Sequence, residues 1–132
     1  MTPFEHDIID LHIALEAWLG KGEGEADALL ARFRRDFLMI PPSGVQVDYN
    51  GLASFLEKQR GSRPGLKIVI DELTTIQSGE RGAVLHYRET QTRPDLPVNV
   101  RWSTAVLNQE GDKITWRLLH ETATQQIGRA HV

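Results

Sequence analysis

The sequence predicts an α+β fold, in which helices come first and a long antiparallel meander of strands follows. Up to about residue 61, apolar residues recur at the spacing of amphipathic helices, and after Gly65 they alternate with polar residues as in half-buried strands. The 132 residues suit one domain with a sizeable core. We therefore expect a single domain over residues 1–132, with a core at about 4–125 and a C-terminal tail at 126–132.

The first helix has clear start and stop signals. Thr2 and Glu5 have the spacing of a capping box, and Pro3 suits the first helical position. An apolar stripe then runs to Leu19, and the glycines that follow end the helix. A second helix is expected from about Glu25 to Arg34, with four residues facing inward: Ala26, Leu29, Leu30 and Phe33.

The next segment predicts a short hairpin and a third helix. DFLMIPPSGVQVDY, residues 36–49, has two strand-like ends around a Pro-Pro-Ser-Gly turn. Asn50 can cap the third helix, which ends near Gly61. The residues that this helix is expected to bury are Leu52, Phe55 and Leu56. Four long strands follow, at 66–77, 82–92, 98–107 and 113–124.

The face of the last strand decides whether its histidine lies in a pocket. The more apolar face of this strand includes Trp116 and His120, so it is expected to point to the core. A plain two-residue turn at Glu110-Gly111 would put Trp102 and His120 on opposite faces, whereas a turn with Gly111 as a left-handed bulge puts them on one face. Because glycine suits such a bulge, we expect Trp102 and His120 to face inward together.

The preceding hairpin brings a carboxylate to the same face. With a loop at 93–96, Glu89 pairs with Val100. Glu89 and His120 then flank Val100, with backbones roughly 10 Å apart, which is two strand spacings. This separation leaves room for a small ligand or a water between the two side chains.

The predicted inner face is mostly apolar with a few polar tips, as small-molecule pockets are. The expected ligand-binding residues are Trp18, Phe55, Tyr87, Glu89, Trp102, Trp116 and His120. Burial would raise the pKa of the Glu89 carboxyl, and His120 would be its partner, so these two residues are the candidate catalytic acid and base. Tyr87 could donate a hydrogen bond to a carbonyl or enolate oxygen. The alternative is structural: His120 and Tyr87 then only satisfy hydrogen bonds in the wall of the sheet.

The opposite face of the predicted sheet is charged, and it carries Arg88, Arg101, Arg117 and Glu121 among others. One interpretation is a solvated face with cross-strand ion pairs that contribute little. The other is a homodimer interface, because one face of an open sheet often packs on its twin, and we favour this one. His12, on the first helix, is expected in the core or at its boundary.

The composition excludes several classes of site and partner. There is no cysteine, so disulfides and thiolate metal sites are excluded. A net charge of −3 with interspersed signs gives no reason to expect nucleic acid or an acidic membrane as partner. No apolar run reaches the ~20 residues of a membrane span and the N-terminus lacks a signal-peptide core, so a cytoplasmic location is the default. No metal-ligand spacing, phosphate-binding glycine motif or GxSxG motif is present, and no metal or cofactor is expected.

This order of elements resembles the nuclear-transport-factor-2-like (NTF2-like) superfamily and, within it, the SnoaL-like bacterial proteins of uncharacterised function. The ending EGDKITWRLLHETAT carries the resemblance, and RRDFLMIPPSGVQVDYNGLASFL is similar to the segment between the family's second and third helices. The residues of the ending that match are Gly111, Trp116, His120 and Glu121. The resemblance covers roughly residues 4 to 125. It implies a cone-shaped, cystatin-like roll: a curved, mostly antiparallel sheet wrapped around a long N-terminal helix, with two further helices and a pocket at the open end.

The resemblance also frames three hypotheses about function, and it implies a homodimer. The first is a protein that binds a small apolar or partly polar molecule in the cone. The second is a cofactor-free acid/base enzyme, such as an isomerase, dehydratase or cyclase of the SnoaL or ketosteroid isomerase type; Tyr87 and Glu89 have suitable chemistry for it without a matching motif. The third is a dimerisation or interaction domain whose pocket is filled by its own side chains. Asp36 and Asp48 are further acids near the expected mouth of the pocket.

Overall fold

The computed structural model describes residues 1–124, which form three helices and six strands. The helices are α1 (Pro3–Lys21), α2 (Ala26–Leu30) and α3 (Tyr49–Gln59). The strands are β1 (Phe33–Ile40), β2 (Val47–Asp48), β3 (Lys67–Gly79), β4 (Gly82–Thr92), β5 (Asn99–Glu110) and β6 (Lys113–Ala123). The tail predicted at 126–132 lies outside the described residues.

The strands form one curved, unclosed sheet in the order β2-β1-β6-β5-β4-β3. All neighbouring strands are antiparallel except β1 and β6, which are parallel, so the sheet is mixed. The meander β3–β6 curves around α1, which packs against β3 and β4 on the concave face. The predicted α+β class and the cone-shaped, mostly antiparallel roll around a long N-terminal helix are therefore confirmed.

Helix α1 begins and ends at the residues that its sequence signals indicate. The Thr2 side chain accepts from the backbone N–H of Glu5, and the Glu5 carboxylate accepts from the backbone N–H of Thr2. At the other end Gly22 adopts φ 67°, the left-handed conformation in which glycine avoids a Cβ clash. Burial of one apolar stripe on the sheet stabilises the helix, and that stripe consists of Phe4, Ile8, Leu11, Trp18 and Leu19.

Helix α2 is shorter than the predicted helix at 25–34, because the end of that segment forms the start of strand β1. Phe33 starts β1 and pairs with Trp116, and the backbone N–H of Trp116 donates to the carbonyl of Arg32 at 2.8 Å. The Phe33 ring packs on the edge of Phe37 at 4.8 Å between centroids. Pairing with β6 and aromatic packing therefore override the local helical pattern.

Helix α3 begins two residues earlier than Asn50 suggested. Its N-cap is Asp48, whose carboxylate accepts from the backbone N–H of Gly51 at 2.8 Å. Leu52 and Leu56 are buried as expected, but Phe55 is 40% exposed, so the prediction that Phe55 is buried was wrong.

The β5–β6 hairpin differs from both turns that the sequence suggested. Glu110 pairs with Lys113, so the turn consists of the two residues between them, starting with Gly111. Gly111 has φ 61°, a left-handed conformation that favours glycine. The register then stays regular as far as the pair of Leu107 and Trp116.

One extra residue in β6 then reverses the faces of that strand. Val106 pairs with Leu118, so Arg117 has no partner in β5 and forms a bulge. Beyond the bulge Glu121 is buried and His120 is exposed on the convex face. The prediction that His120 faces inward was therefore wrong.

The β4–β5 hairpin is one residue out of the predicted register. Glu89 pairs with Arg101 and Tyr87 pairs with Ser103. Tyr87 and Glu89 are buried as expected. Because Ser103 rather than its neighbour is buried, Trp102 points to the convex face, and the prediction that Trp102 faces inward was wrong.

Candidate functional site

A cavity of about 670 Å³ opens between α1, α3, β1 and the concave face of the sheet. This volume lies in the range of small-molecule sites, which span roughly 300–1,000 Å³. Most of its wall is apolar and includes Leu11, Leu15, Leu19, Phe37, Met39 and Leu52. The polar lining is concentrated in His12, Arg63, Glu89, Gln91, Arg101 and Glu121. The cavity therefore combines an apolar body with a polar end.

The deepest polar feature of this cavity is a pair formed by His12 and Glu89. Helix α1 and strand β4 bury both residues almost completely, with 4% and 3% of their surfaces exposed. His12 Nε2 lies 3.2 Å from Glu89 Oε1, and His12 Nδ1 lies 2.7 Å from the carbonyl oxygen of Ile8. A carbonyl oxygen only accepts, so Nδ1 carries a proton and donates to Ile8. The backbone of α1 thus fixes the orientation of the imidazole toward Glu89.

The pair favours the doubly charged state. Burial lowers the pKa of His12, but the hydrogen bond and the charge of Glu89 outweigh it, so the pKa lies above its usual value. Burial raises the pKa of Glu89, but His12, with help from Gln91 and Arg101, holds it below its usual value. Gln91 Nε2 donates to Glu89 Oε2 at 2.6 Å. Both shifts favour an imidazolium beside a carboxylate in this site.

A second buried pair lies next to the first, on β5 and β6. Arg101 Nη1 donates to Glu121 Oε1 at 3.2 Å, and Arg101 also donates to the Asn99 side chain. Burial raises the pKa of the Glu121 carboxyl, the charge of Glu89 raises it further, and Arg101 only partly opposes this. Glu121 therefore takes up a proton more readily than an ordinary glutamate.

Two buried hydroxyl groups lie behind these pairs, on Tyr87 and Ser103. Among the described residues neither hydroxyl has a hydrogen-bond partner. The Tyr87 ring meets the His12 ring edge-on, at 5.4 Å between centroids. Burial and the negative charges of Glu89 and Glu121 hold the pKa of Tyr87 well above its usual value, so Tyr87 stays protonated and can donate. Neither residue is among those that line the cavity.

The residues predicted to bind a ligand fall into four groups. Phe55 and Glu89 line the cavity. Trp18 and Trp116 are buried in the core, where their indole N–H groups donate to the Leu56 carbonyl and to Asp7 Oδ2, each at 2.8 Å. Tyr87 is buried behind the His12–Glu89 pair. Trp102 and His120 lie on the convex face, where the Trp102 ring stacks on His86 at 5.1 Å.

The sequence interpretation paired Glu89 with the wrong histidine. Glu89 contacts His12, which the pattern of α1 had placed in the core or at its boundary, and not His120. Glu121 had been assigned to the outer face because the bulge at Arg117 carries no signal of its own. Arg101 had been assigned there because Val100, Trp102 and Val106 make the opposite face of β5 the more apolar. A histidine one turn after Ile8, on the apolar stripe of α1, is the sequence signal that could have identified the pair.

Within residues 1–124, no three histidine, aspartate or glutamate side chains lie close enough together to hold a metal ion. None of the helices in this range combines the length and apolar character of a membrane span.

Comparison with known proteins identifies the fold family. No family model and no curated protein matches the sequence. The crystal structure of an NTF2-like protein of unknown function from Pseudomonas aeruginosa is 37% identical to the chain, with a TM-score of 0.88 over 92% of this chain and 98% of that one.

Two more distant structures share the fold. A protein of unknown function with a cystatin-like fold from Nostoc punctiforme is 15% identical, with a TM-score of 0.73 and 97% of each chain covered. A ketosteroid isomerase-like protein from Erwinia carotovora atroseptica is 12% identical, with a TM-score of 0.66 over 93% of this chain and 95% of that one. These two structures show the shared fold alone. The identity and coverage of the Pseudomonas aeruginosa structure show that the chain belongs to the NTF2-like family.

Proposed function

We propose that the protein binds a small, largely apolar molecule in the cavity of its cone. The observation that carries this proposal is the cavity itself, about 670 Å³ with an apolar wall and buried polar groups at one end. Protein interiors are normally close-packed, and empty apolar space costs stability. A cavity of this size in a 132-residue chain is therefore best explained by a ligand. Its open volume also argues against an interaction domain with a filled pocket.

A neutral fluorescent probe, N-phenylnaphthylamine, tests this proposal. Its fluorescence is expected to rise when the protein is added, because the apolar wall excludes water from the ring system. Leu15→Trp replaces an aliphatic side chain of the cavity wall by a larger indole ring. This change is expected to weaken binding by about tenfold or more, through steric exclusion. Val69→Trp on the exposed side of β3 is the matched control. Binding that is absent, or equal in all three proteins, would contradict the proposal.

A cofactor-free acid/base enzyme is the second candidate, and the His12–Glu89 pair favours it. A charged carboxylate at the cavity wall can accept a proton, and the imidazolium beside it can return one. Isomerases, dehydratases and cyclases need this chemistry. Binding remains the preferred proposal because His12 and Glu89 satisfy each other and neither is held free for a substrate. An enzyme would convert its bound ligand, and Glu89→Gln would stop the conversion while binding persisted.

We also propose a homodimer formed through the convex face of the sheet. Because of the observed register, this face carries alternating residues of β5, from Val100 through Trp102 to Val106. The guanidinium of Arg88 lies 5.6 Å above the Trp102 ring, and His120 is exposed nearby on β6. Helix α1 packs on the other face and leaves this one available to a second copy. The surface is less charged than the sequence alone indicated, which supports an interface.

A further inference from the structure

One arginine at the cavity wall, Arg63, has no acidic partner among residues 1–124. Arg63 and Arg101 both line the cavity. Arg101 is paired with Glu121, whereas Glu89 is engaged by His12. Arg63 forms no ion pair with any residue in the described range, and its guanidinium lies over the ring of Phe55 at 5.7 Å. A cation that lies over an aromatic ring, and that has no ion-pair partner in the described part of the chain, therefore lines the cavity.

Two further arginines reinforce this positive charge. Partial burial lowers the pKa of Arg63 most, the nearby charges of Arg93 and Arg101 lower it further, and the charge of Glu89 opposes them only in part. Arg93 Nε is buried and has no hydrogen-bond partner among residues 1–124. Positive charges that lie close together in a partly desolvated site repel each other, and this repulsion destabilises the protein unless an anion offsets it.

Neither of the other two acids of the cavity wall forms an ion pair with Arg63. Asp48 lines the cavity, but its carboxylate caps α3 by accepting from the backbone N–H of Gly51. Glu121, the acid next to Arg101, favours its neutral form more than an ordinary glutamate does. The polar end of the cavity is thus suited to a negative group supplied from outside the chain.

We propose that the ligand of the cavity carries a carboxylate, which binds to the Arg63 guanidinium with Arg101 and Arg93 adding to the positive field. The planar fork of a guanidinium matches the two oxygens of a carboxylate. The apolar part of the ligand then lies against the wall formed by Leu15 and Leu52. This inference rests on the proposed function and narrows its ligand to an apolar carboxylic acid in its ionised form.

A matched pair of probes, naphthoate and its neutral amide naphthamide, tests the inference by calorimetry on the whole protein. Both probes have the same ring system and differ in charge. Naphthoate is expected to bind about tenfold or more tightly than naphthamide at low salt, and added salt is expected to reduce the difference. Arg63→Gln is expected to lower the affinity for naphthoate to that for naphthamide and to leave the amide unaffected. Arg81→Gln, in the exposed β3–β4 turn, is the control and is expected to change neither affinity.

Arg101 is tested by a double variant, because its removal alone would leave Glu121 buried without a partner. Arg101→Gln with Glu121→Gln is expected to reduce the preference for naphthoate. Equal affinities for the two probes, or a loss of both in Arg63→Gln, would overturn the carboxylate inference and leave apolar binding standing. If neither probe binds, nor N-phenylnaphthylamine, both the inference and the proposed function fail.

Discussion

The charged state of the His12–Glu89 pair is set by its immediate neighbours. Each residue would avoid its charge if it were buried alone, because a low-dielectric interior disfavours ions. Together they reverse that preference, as the raised pKa of His12 and the lowered pKa of Glu89 show. The Ile8 carbonyl and the Gln91 amide complete the hydrogen bonding. Removal of one partner should therefore reveal the cost of burial for the other.

Glu89→Gln is expected to lower the pKa of His12 below its ordinary value of about 6.5, because burial remains and the counter-charge is lost. NMR titration of the His12 ring protons measures this shift. The variant should also be less stable by roughly 1–3 kcal/mol in urea unfolding at mildly acidic pH. Glu57→Gln, on the exposed surface of α3, is the control. An unchanged pKa of His12 in Glu89→Gln would refute the ion pair.

The His12–Glu89 pair is expected to stabilise the protein most within a limited pH range. Because the pKa of Glu89 is lowered, its contribution is present above about pH 4.3 and is lost as the pH falls through the lowered value. Because the pKa of His12 is raised, its contribution is complete below about pH 6.5 and is lost as the pH rises through the raised value. Glu121 has a raised pKa, so its effect on stability as the pH changes has the opposite sign to that of Glu89. The pH range is therefore measured as the difference in the free energy of unfolding between the wild type and Glu89→Gln.

At the scale of the elements, irregular strands shape the sheet and the site. The bulge at Arg117 turns Glu121 inward and His120 outward. In β3 the register shifts twice, between Asp71 and Thr74 and between Thr75 and Gln77. Such bulges increase the local bend and twist of a strand. The sheet can then curve around α1 and leave a cavity beside it.

Strands β4 and β5 approach each other closely at Gly82. A Cβ at Gly82 would lie 2.2 Å from the carbonyl oxygen of Leu107 on β5, which is far inside van der Waals contact. Gly82→Ala is therefore expected to destabilise the protein by about 2 kcal/mol or more in urea unfolding. Gly79 pairs with Gly82 across the same hairpin and has no atom within 4 Å of its Cβ position, so Gly79→Ala is the matched control. Equal effects of the two changes would contradict this close approach.

At the scale of the whole molecule, the proposed binding cavity and the proposed dimer interface lie on opposite faces of one sheet. The concave face carries the polar pairs of the cavity, and the convex face carries Trp102, Thr104 and His120 on its central strands. A homodimer through the convex face would leave the cavities of both copies open. His120 is then a residue of the interface and not of the pocket.

His120→Glu tests the proposed interface by multi-angle light scattering over a dilution series. The wild type is expected to have the mass of a dimer, and the variant to dissociate at about tenfold or more higher concentration, because two carboxylates would be brought together. Ile13→Glu on the exposed side of α1 is the control, because this position is similarly exposed and lies away from the convex face. A wild type that is monomeric at all concentrations would exclude the homodimer. Binding of N-phenylnaphthylamine should persist in both variants.

The sequence by itself determined the elements and their order. The capping box of Thr2 and Glu5, the glycine end of α1 and the alternation after Gly65 are local signals, and the structure follows them closely. These signals were also sufficient for the fold class and the family. They act between residues that are neighbours along the chain, so they can be recognised without knowledge of the rest of the structure. The narrower resemblance to SnoaL-like proteins stays a prediction.

Only the tertiary structure decided which side chains meet. Side chains alternate with a period of two along a strand, so the single extra residue at Arg117 exchanged the faces of everything after it. Glu89 was correctly placed in the interior, but its partner, His12, comes from a helix 77 residues earlier in the chain. Contacts between elements so distant in sequence depend on register, curvature and packing, which arise only when the sheet curves around α1. For that reason the pattern of the chain indicated a pocket, and the assembled cone determined its chemistry.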